Sequence, residues 1–261
     1  MSHTTEESYQ VDALKVRRFP TTENLATAAA DDAANVLKDA IHQRGRARAI
    51  IATGNSQDVF LECLTRLQGI DWSKVELFHM DEYLGMSMDH PASFRRYLRE
   101  RVFNVVNPAA SHYLEGDALE PLKAIRAYAE ALAAAPVDLC CLGIGENGHI
   151  AFNDPEVADF DDPEPIKIVK LDEKCRLQQV GEGHFPNLHA VPAYAITVTV
   201  PTLCKVGRMV AVVPERRKAE AVKAALEGPI ETACPASHLR RQPHATLYLD
   251  ADSASLLSPR T

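Results

Sequence analysis

The sequence predicts a single α/β domain, residues 1–261, built on a mostly parallel sheet with helices on both faces. Three observations lead there. Several short runs are apolar at every position, which suits strands covered on both sides. Helical patterns alternate with those runs from one end of the chain to the other. The 261 residues suffice for one substantial core, and no internal repeat or linker divides them. The arrangement expected is Rossmann-like.

The elements follow in order. Leu25, Ala29, Ala33, Val36, Leu37, Ala40 and Ile41 share one helical face after Thr21-Thr22, and Gly45 closes that helix. Ala49-Ile50-Ile51-Ala52 reads as a strand ending at Thr53-Gly54. Residues 55–68 then form a helix with Val59, Phe60, Cys63, Leu64 and Leu67 inward. A strand over 74–80 is followed by helices over 91–103 and, rich in alanine, 119–134. The apolar run 137–142 is a further strand and leads into a glycine-rich loop. Strands are expected again over 166–171, 195–200, 209–213 and 245–249, with helices over 215–227 and 235–241. Ala245, Leu247 and Leu249 alternate with polar or aromatic residues as an edge strand would. The stretch 153–165 is acidic and proline-rich, too polar to pack. It is expected to be a mobile surface segment, part of a lid over about 155–186.

Charge and cysteine content narrow the function. Twenty-eight Lys and Arg against 36 Asp and Glu give a net charge of −8. That excess argues against nucleic acid and anionic membrane as partners, because neutralising phosphates along a polymer takes clustered bases. A small anion needs only a few local donors. The six cysteines contain no C-x-x-C pair, and adjacent Cys140 and Cys141 in a strand cannot face one metal. Reduced thiols are expected, with no metal site. The polar N-terminus carries no secretory pattern, and no apolar stretch approaches the roughly 18–20 residues that span a bilayer. A cytoplasmic location is expected.

Ligands of open α/β sheets gather beyond the carboxyl ends of the strands, and three motifs sit there. Thr53-Gly54-Asn55-Ser56-Gln57 offers a tight turn, free N–H groups and two hydroxyls, a workable phosphate cradle. The same residues would also serve as a plain helix cap. Phe78-His79-Met80-Asp81-Glu82-Tyr83 places two adjacent carboxylates after a buried strand. One of them should face the crevice, where burial raises a carboxyl pKa toward the range of a general base. The alternative is that Asp81 caps a turn and Glu82 is solvated. Gly143-Ile144-Gly145-Glu146-Asn147-Gly148-His149 lets backbone approach a ligand closely and presents a histidine that Asn147 or Asp154 could orient. Glu215-Arg216-Arg217-Lys218 opens a helix and suits an anion, although Arg216 and Arg217 read more simply as solvated charges. Arg240 and Arg241 read as a solvated helix face, and His112, His238 and His244 have no partner evident in the sequence.

Met80-Asp81-Glu82-Tyr83 and Gly148-His149-Ile150-Ala151-Phe152-Asn153 resemble the motifs of the glucosamine-6-phosphate deaminase (isomerase) family, which shares its fold with the 6-phosphogluconolactonases. The likeness spans roughly residues 20–255. Tyr83 and Ile150-Ala151-Phe152 favour the deaminase branch over the Asp-Glu-Arg and Gly-His-Thr of lactonases. The resemblance implies that an amino sugar phosphate is isomerised and deaminated, from glucosamine 6-phosphate to fructose 6-phosphate and ammonia. It gives Asp81 the role of general base and His149 that of assisting ring opening, with Asn147 and Asp154 beside it. Substrate contacts would come from Thr53, Gly54, Asn55, Ser56, Glu82, Gly148, His184 and Lys218. It implies no metal or redox cofactor, and it permits a homo-oligomer. The chain departs from the family at Asn147 and Asp154, where Asp and Glu are usual, and at His184-Phe185, about where an Arg-Phe phosphate contact falls. A sugar-phosphate lactonase and a catalytically silent sugar-phosphate sensor are the alternative functions these residues allow.

Overall fold

The computed structural model describes residues 6–259. A hairpin, β1 (Glu7–Val11) and β2 (Leu14–Arg18), precedes α1 (Thr22–Arg44), β3 (Ala47–Ile51), α2 (Asp58–Arg66) and β4 (Val75–His79). A short strand β5 (Asp81–Tyr83) leads to α3 (Phe94–Leu98), a π-helical turn, α4 (Asn104–Val106), β6 (Ala110–His112), α5 (Pro121–Ala133) and β7 (Val137–Leu142). The chain continues through β8 (Ile166–Lys170), α6 (Glu173–Gly181), β9 (Tyr194–Val198), α7 (Val200–Cys204), β10 (Val206–Val213), α8 (Ala219–Glu227) and β11 (Ala245–Leu249).

The central sheet has eight strands in the order β1-β2-β11-β10-β7-β3-β4-β6. Every pair in it is parallel except the β1–β2 hairpin. A second sheet, β5-β9-β8, is antiparallel. Alternation along the central strands divides the core. Ile50, Phe78, Cys140, Met209 and Leu247 pack on one face with α5 and α8. Ile51, Leu77, Cys141, Val210 and Tyr248 pack on the other with α1 and α2. Cys140 and Cys141 therefore face opposite layers, as period-two geometry requires. The first helix carries the expected ends: Thr21 accepts the Asn24 N–H, and Gly45 closes the helix at φ 72°.

Several expectations need correcting. β11 is an interior strand, buried throughout, because the N-terminal hairpin pairs along it and covers what would otherwise be the edge. Residues 235–241 and 55–57 wind as 3₁₀ turns, and the 91–103 segment is a short α-helix running into the π-turn. The acidic stretch 153–165 is tied down at several points: the Lys167 ammonium donates to the Val157 carbonyl and to Asp162, each at 2.6 Å. Phe160 also packs on the His238 ring at 4.3 Å. His112 stacks on Phe78 at 4.2 Å, and His244 Nε2 lies 3.0 Å from the Cys204 carbonyl. Arg240 pairs with Asp12 at 2.6 Å and reaches the Gly228 carbonyl, so only Arg241 is left to a solvated role. Among the described residues no helix is long and apolar enough to cross a membrane.

Candidate active site

The loops that follow β10, β7, β3 and β4, four neighbouring strands, meet over their carboxyl ends. They enclose a cleft of about 520 Å³, counting space open to solvent, lined by Thr53, Gly54, Ser56, Asp81, His149 and Lys218 among others. Four separate strand-end segments, up to 165 positions apart in the chain, thus converge on one crevice.

β5 resolves which of the two carboxylates faces it. Asp81 lines the cleft at 6% exposure, and its Oδ1 has no hydrogen-bond partner. Burial, followed by the neighbouring charge of Glu82, pushes its pKa well above the usual carboxylate value. Glu82 is not in the cleft lining, which corrects its assignment as a substrate contact. Adjacent residues of a strand point to opposite sides. Glu82 accepts from Ser93 Oγ at 2.7 Å, from the backbone N–H of Tyr83, Phe94 and Arg95, and from Arg95 Nε at 3.3 Å. Burial raises its pKa, and these hydrogen bonds oppose the rise. Its work is to fix the start of α3 against β5.

The glycine loop presents His149 on a built support. His149 Nδ1 lies 3.0 Å from Asp154 Oδ1, and Asp154 is fully buried. Burial works against the Asp154 charge but is outweighed by His149, by Asn147 Nδ2 at 2.9 Å and by the Asp172 N–H at 3.0 Å, leaving its pKa lowered. Asn147 also accepts the His149 N–H and donates to Asp172. Asn147 and Asp154 therefore stand behind the histidine and do not line the cleft. Cys175 joins them, so that ligand-type atoms of His149, Asp154 and Cys175 lie within 4.8 Å of one another. Burial pushes the Cys175 thiol well up, so it faces Asp154 as a neutral S–H. Gly148 sits behind the cleft as well: at φ 85°, an added Cβ there would meet Cys234 Sγ at 2.7 Å.

Thr53, Gly54 and Ser56 line the same cleft as Lys218, whose residue is 2% exposed. Burial lowers the Lys218 pKa, with Glu182 opposing. The turn that presents it begins at Glu215, which adopts φ 80° and donates its N–H to Asp250. Asn55 lies outside the lining and donates to the Glu182 carbonyl at 3.3 Å. His184 borders an adjoining hollow with Gly54, Phe94, Tyr97 and Arg101, and its Nε2 is 3.3 Å from Glu182. Arg217, expected to be solvated, is partly buried and pairs with Glu182 at 3.1 Å. Gln178, Gln179 and Glu182 complete the wall from α6 and its end, within the segment expected as a lid. Nothing in the strand-end logic finds these three; the only local signal is Gly181-Glu182-Gly183, a carboxylate between two glycines.

Comparison with known proteins agrees with this fold. A model described as glucosamine-6-phosphate isomerases/6-phosphogluconolactonase matches residues 20–248. A glucosamine-6-phosphate deaminase of Exiguobacterium sibiricum is 36% identical over 209 residues, covering 80% of each chain. A solved monomeric glucosamine-6-phosphate deaminase superposes with a TM-score of 0.83 at 30% identity, over 92% of this chain and 99% of that one. The 6-phosphogluconolactonase of Shewanella baltica shares the fold with a TM-score of 0.71, at 20% identity over 90% of this chain and 96% of its own. The chain belongs to the glucosamine-6-phosphate isomerase/6-phosphogluconolactonase family.

Proposed function

We propose that this protein is an amino-sugar-phosphate deaminating isomerase that converts glucosamine 6-phosphate to fructose 6-phosphate and ammonia. The observation that carries this is Asp81: a buried carboxylate facing the cleft, with a free oxygen and a raised pKa, in the same crevice as a cation and two hydroxyls suited to phosphate. The deaminases at 30% and 36% identity support it.

The chemistry uses a few groups. His149, held by Asp154, assists proton movement at the ring oxygen and C1 hydroxyl as the pyranose opens to the aldehyde. Asp81 removes the C2 proton, giving an enolamine, and returns a proton to C1. The C2 imine that results adds water and expels ammonia, leaving the ketose. One carboxylate near both carbons serves both transfers, and its raised pKa makes it a stronger base once ionised. Thr53, Ser56 and Lys218 hold the phosphate, fixing C1 and C2 against Asp81. The six unpaired cysteines support a reducing, cytoplasmic setting.

The test is ammonia release coupled to ketose phosphate formation, over a panel of hexosamine 6-phosphates that includes the galactosamine isomer. Release with the glucosamine substrate is expected; silence with every member at high enzyme concentration, or hydrolysis of a phosphogluconolactone alone, overturns the proposal. A second expectation concerns His149. A Cβ added at Gly145 would sit 2.2 Å from the ring Cε1 and Nε2. Gly145→Ala is therefore expected to displace the ring and lower kcat about 100-fold. Its circular dichroism should stay native. Steady-state kinetics at wild-type levels would show that the ring position is not used.

A further inference from the structure

The phosphate corner contains a carboxylate. Glu182 lines the same cleft as Thr53, Ser56 and Lys218, and its side chain is 4% exposed. A cradle for an anion ordinarily offers donors only, since a buried negative charge repels the ligand. Glu182 is ionised: burial works against its charge, but His184, Lys218, Arg217 and Gln178 together hold its pKa below the usual value.

Its neighbours do not exhaust it. Gln178 Nε2 donates to Oε1 at 2.8 Å, and Arg217 and His184 stand at ion-pair distances of 3.1 and 3.3 Å. A carboxylate accepts at about four lone-pair positions, so acceptor capacity is left over. The charged surroundings are mixed. Arg217 is shared with Glu215 at 2.6 Å and with Glu146 of the glycine loop at 3.9 Å. From β5 and α3, Tyr83 and Tyr97 sense the Glu182 charge but stay neutral, their pKa values raised chiefly by burial. Among the described residues, no carboxylate lies within 4 Å of the Lys218 ammonium, which leaves it to the ligand.

An anion that enters here meets donors on one side and a surplus acceptor on the other. A phosphate that keeps one proton satisfies both, because its O–H donates to the carboxylate while its other oxygens accept. A sulfate has no proton to give and meets Glu182 as bare repulsion. With the Thr53–Ser56 turn and Lys218 read as the phosphate corner, we propose that Glu182 is a specificity-determining residue that accepts the proton of a monoanionic phosphate. The site thereby selects phosphate monoesters over fully ionised oxyanions such as sulfate esters.

The test is binding of methyl phosphate and methyl sulfate to the full chain by calorimetry, at about pH 5, where the phosphate monoester still carries a proton, and again at about pH 8, where it is fully ionised. The wild type should prefer phosphate by about tenfold or more at the lower pH, and the preference should shrink at the higher one. Glu182→Gln should bind sulfate more tightly and bring the two anions within a few-fold, and Glu182→Asp should restore part of the preference. Equal affinities in the wild type overturn the proposal. A loss of both anions alike in Glu182→Gln does so too, since that marks a carboxylate that only holds Arg217 and Lys218 in place. Ammonia release is read separately: a chain with the anion preference but no turnover loses the deaminase assignment and keeps this one, and turnover without the preference does the reverse.

Discussion

Replacing Asp81 by Asn is expected to lower kcat with glucosamine 6-phosphate about a thousandfold, while the protein stays folded. The amide fills the same volume and can still hydrogen-bond, but it cannot take the C2 proton. Stability should move in the opposite direction. The folded-state pKa of Asp81 is raised by burial and by Glu82. The native state therefore binds more protons than the unfolded chain between the two pKa values, and stability falls as pH rises through that window. Above that window the native state carries an unfavourable charge that Asn removes, so Tm there should hold or rise. Wild-type activity should climb as pH rises through the elevated Asp81 pKa, because the base works only when ionised. Rate profiles and melting curves of the two proteins check both signs. A variant that keeps its activity, or loses several degrees of Tm, contradicts the assignment.

Glu82, one residue along, should behave in the converse way. Glu82→Ala leaves the buried Arg95 guanidinium, the Ser93 hydroxyl and three backbone N–H groups without their acceptor. Removing one member of a buried pair costs about 3–5 kcal/mol. For a chain of this size that is a Tm lower by roughly 10 °C. Asp117, 2.9 Å from Arg95, is 42% exposed and compensates only in part. Chemical denaturation measures the loss directly. A change under about 1 kcal/mol would mean that Glu82 is not the anchor of α3, and would reopen a role for it in the cleft.

The contrast between these two acids shows what the sequence makes legible. Thr53–Ser56, Asp81, His149 and Lys218 are legible because each lies in the segment that follows a buried strand, and the parallel fold sends every such end to one rim. Which of Asp81 and Glu82 faces the rim was not legible. It depends on the phase of β5, and that is set by pairing with β9, more than 100 positions later. Glu182, Gln178 and Gln179 escaped for a similar reason: α6 reaches the cleft only because β8 pairs with β9 and swings the segment back. The N-terminal hairpin is not legible because its residues are mostly polar, with Leu14 and Val16 alone fully buried, and the alternation over 245–249 reads as an edge that the hairpin in fact covers. Asn147 is legible as a neighbour able to orient His149. The structure places it behind His149, holding both the loop and Asp154.

The central claim is that Asp81 moves a proton from C2 to C1 of the open-chain amino sugar. The most direct measurement compares glucosamine 6-phosphate carrying hydrogen or deuterium at C2, in single turnovers of the wild type and of Asp81→Asn. Deuterium at C2 should slow ketose formation by the wild type, the label should leave C2 for C1 or for solvent, and the variant should form ketose at a small fraction of the wild-type rate. Equal rates with both substrates, alongside undiminished turnover by Asp81→Asn, would contradict it.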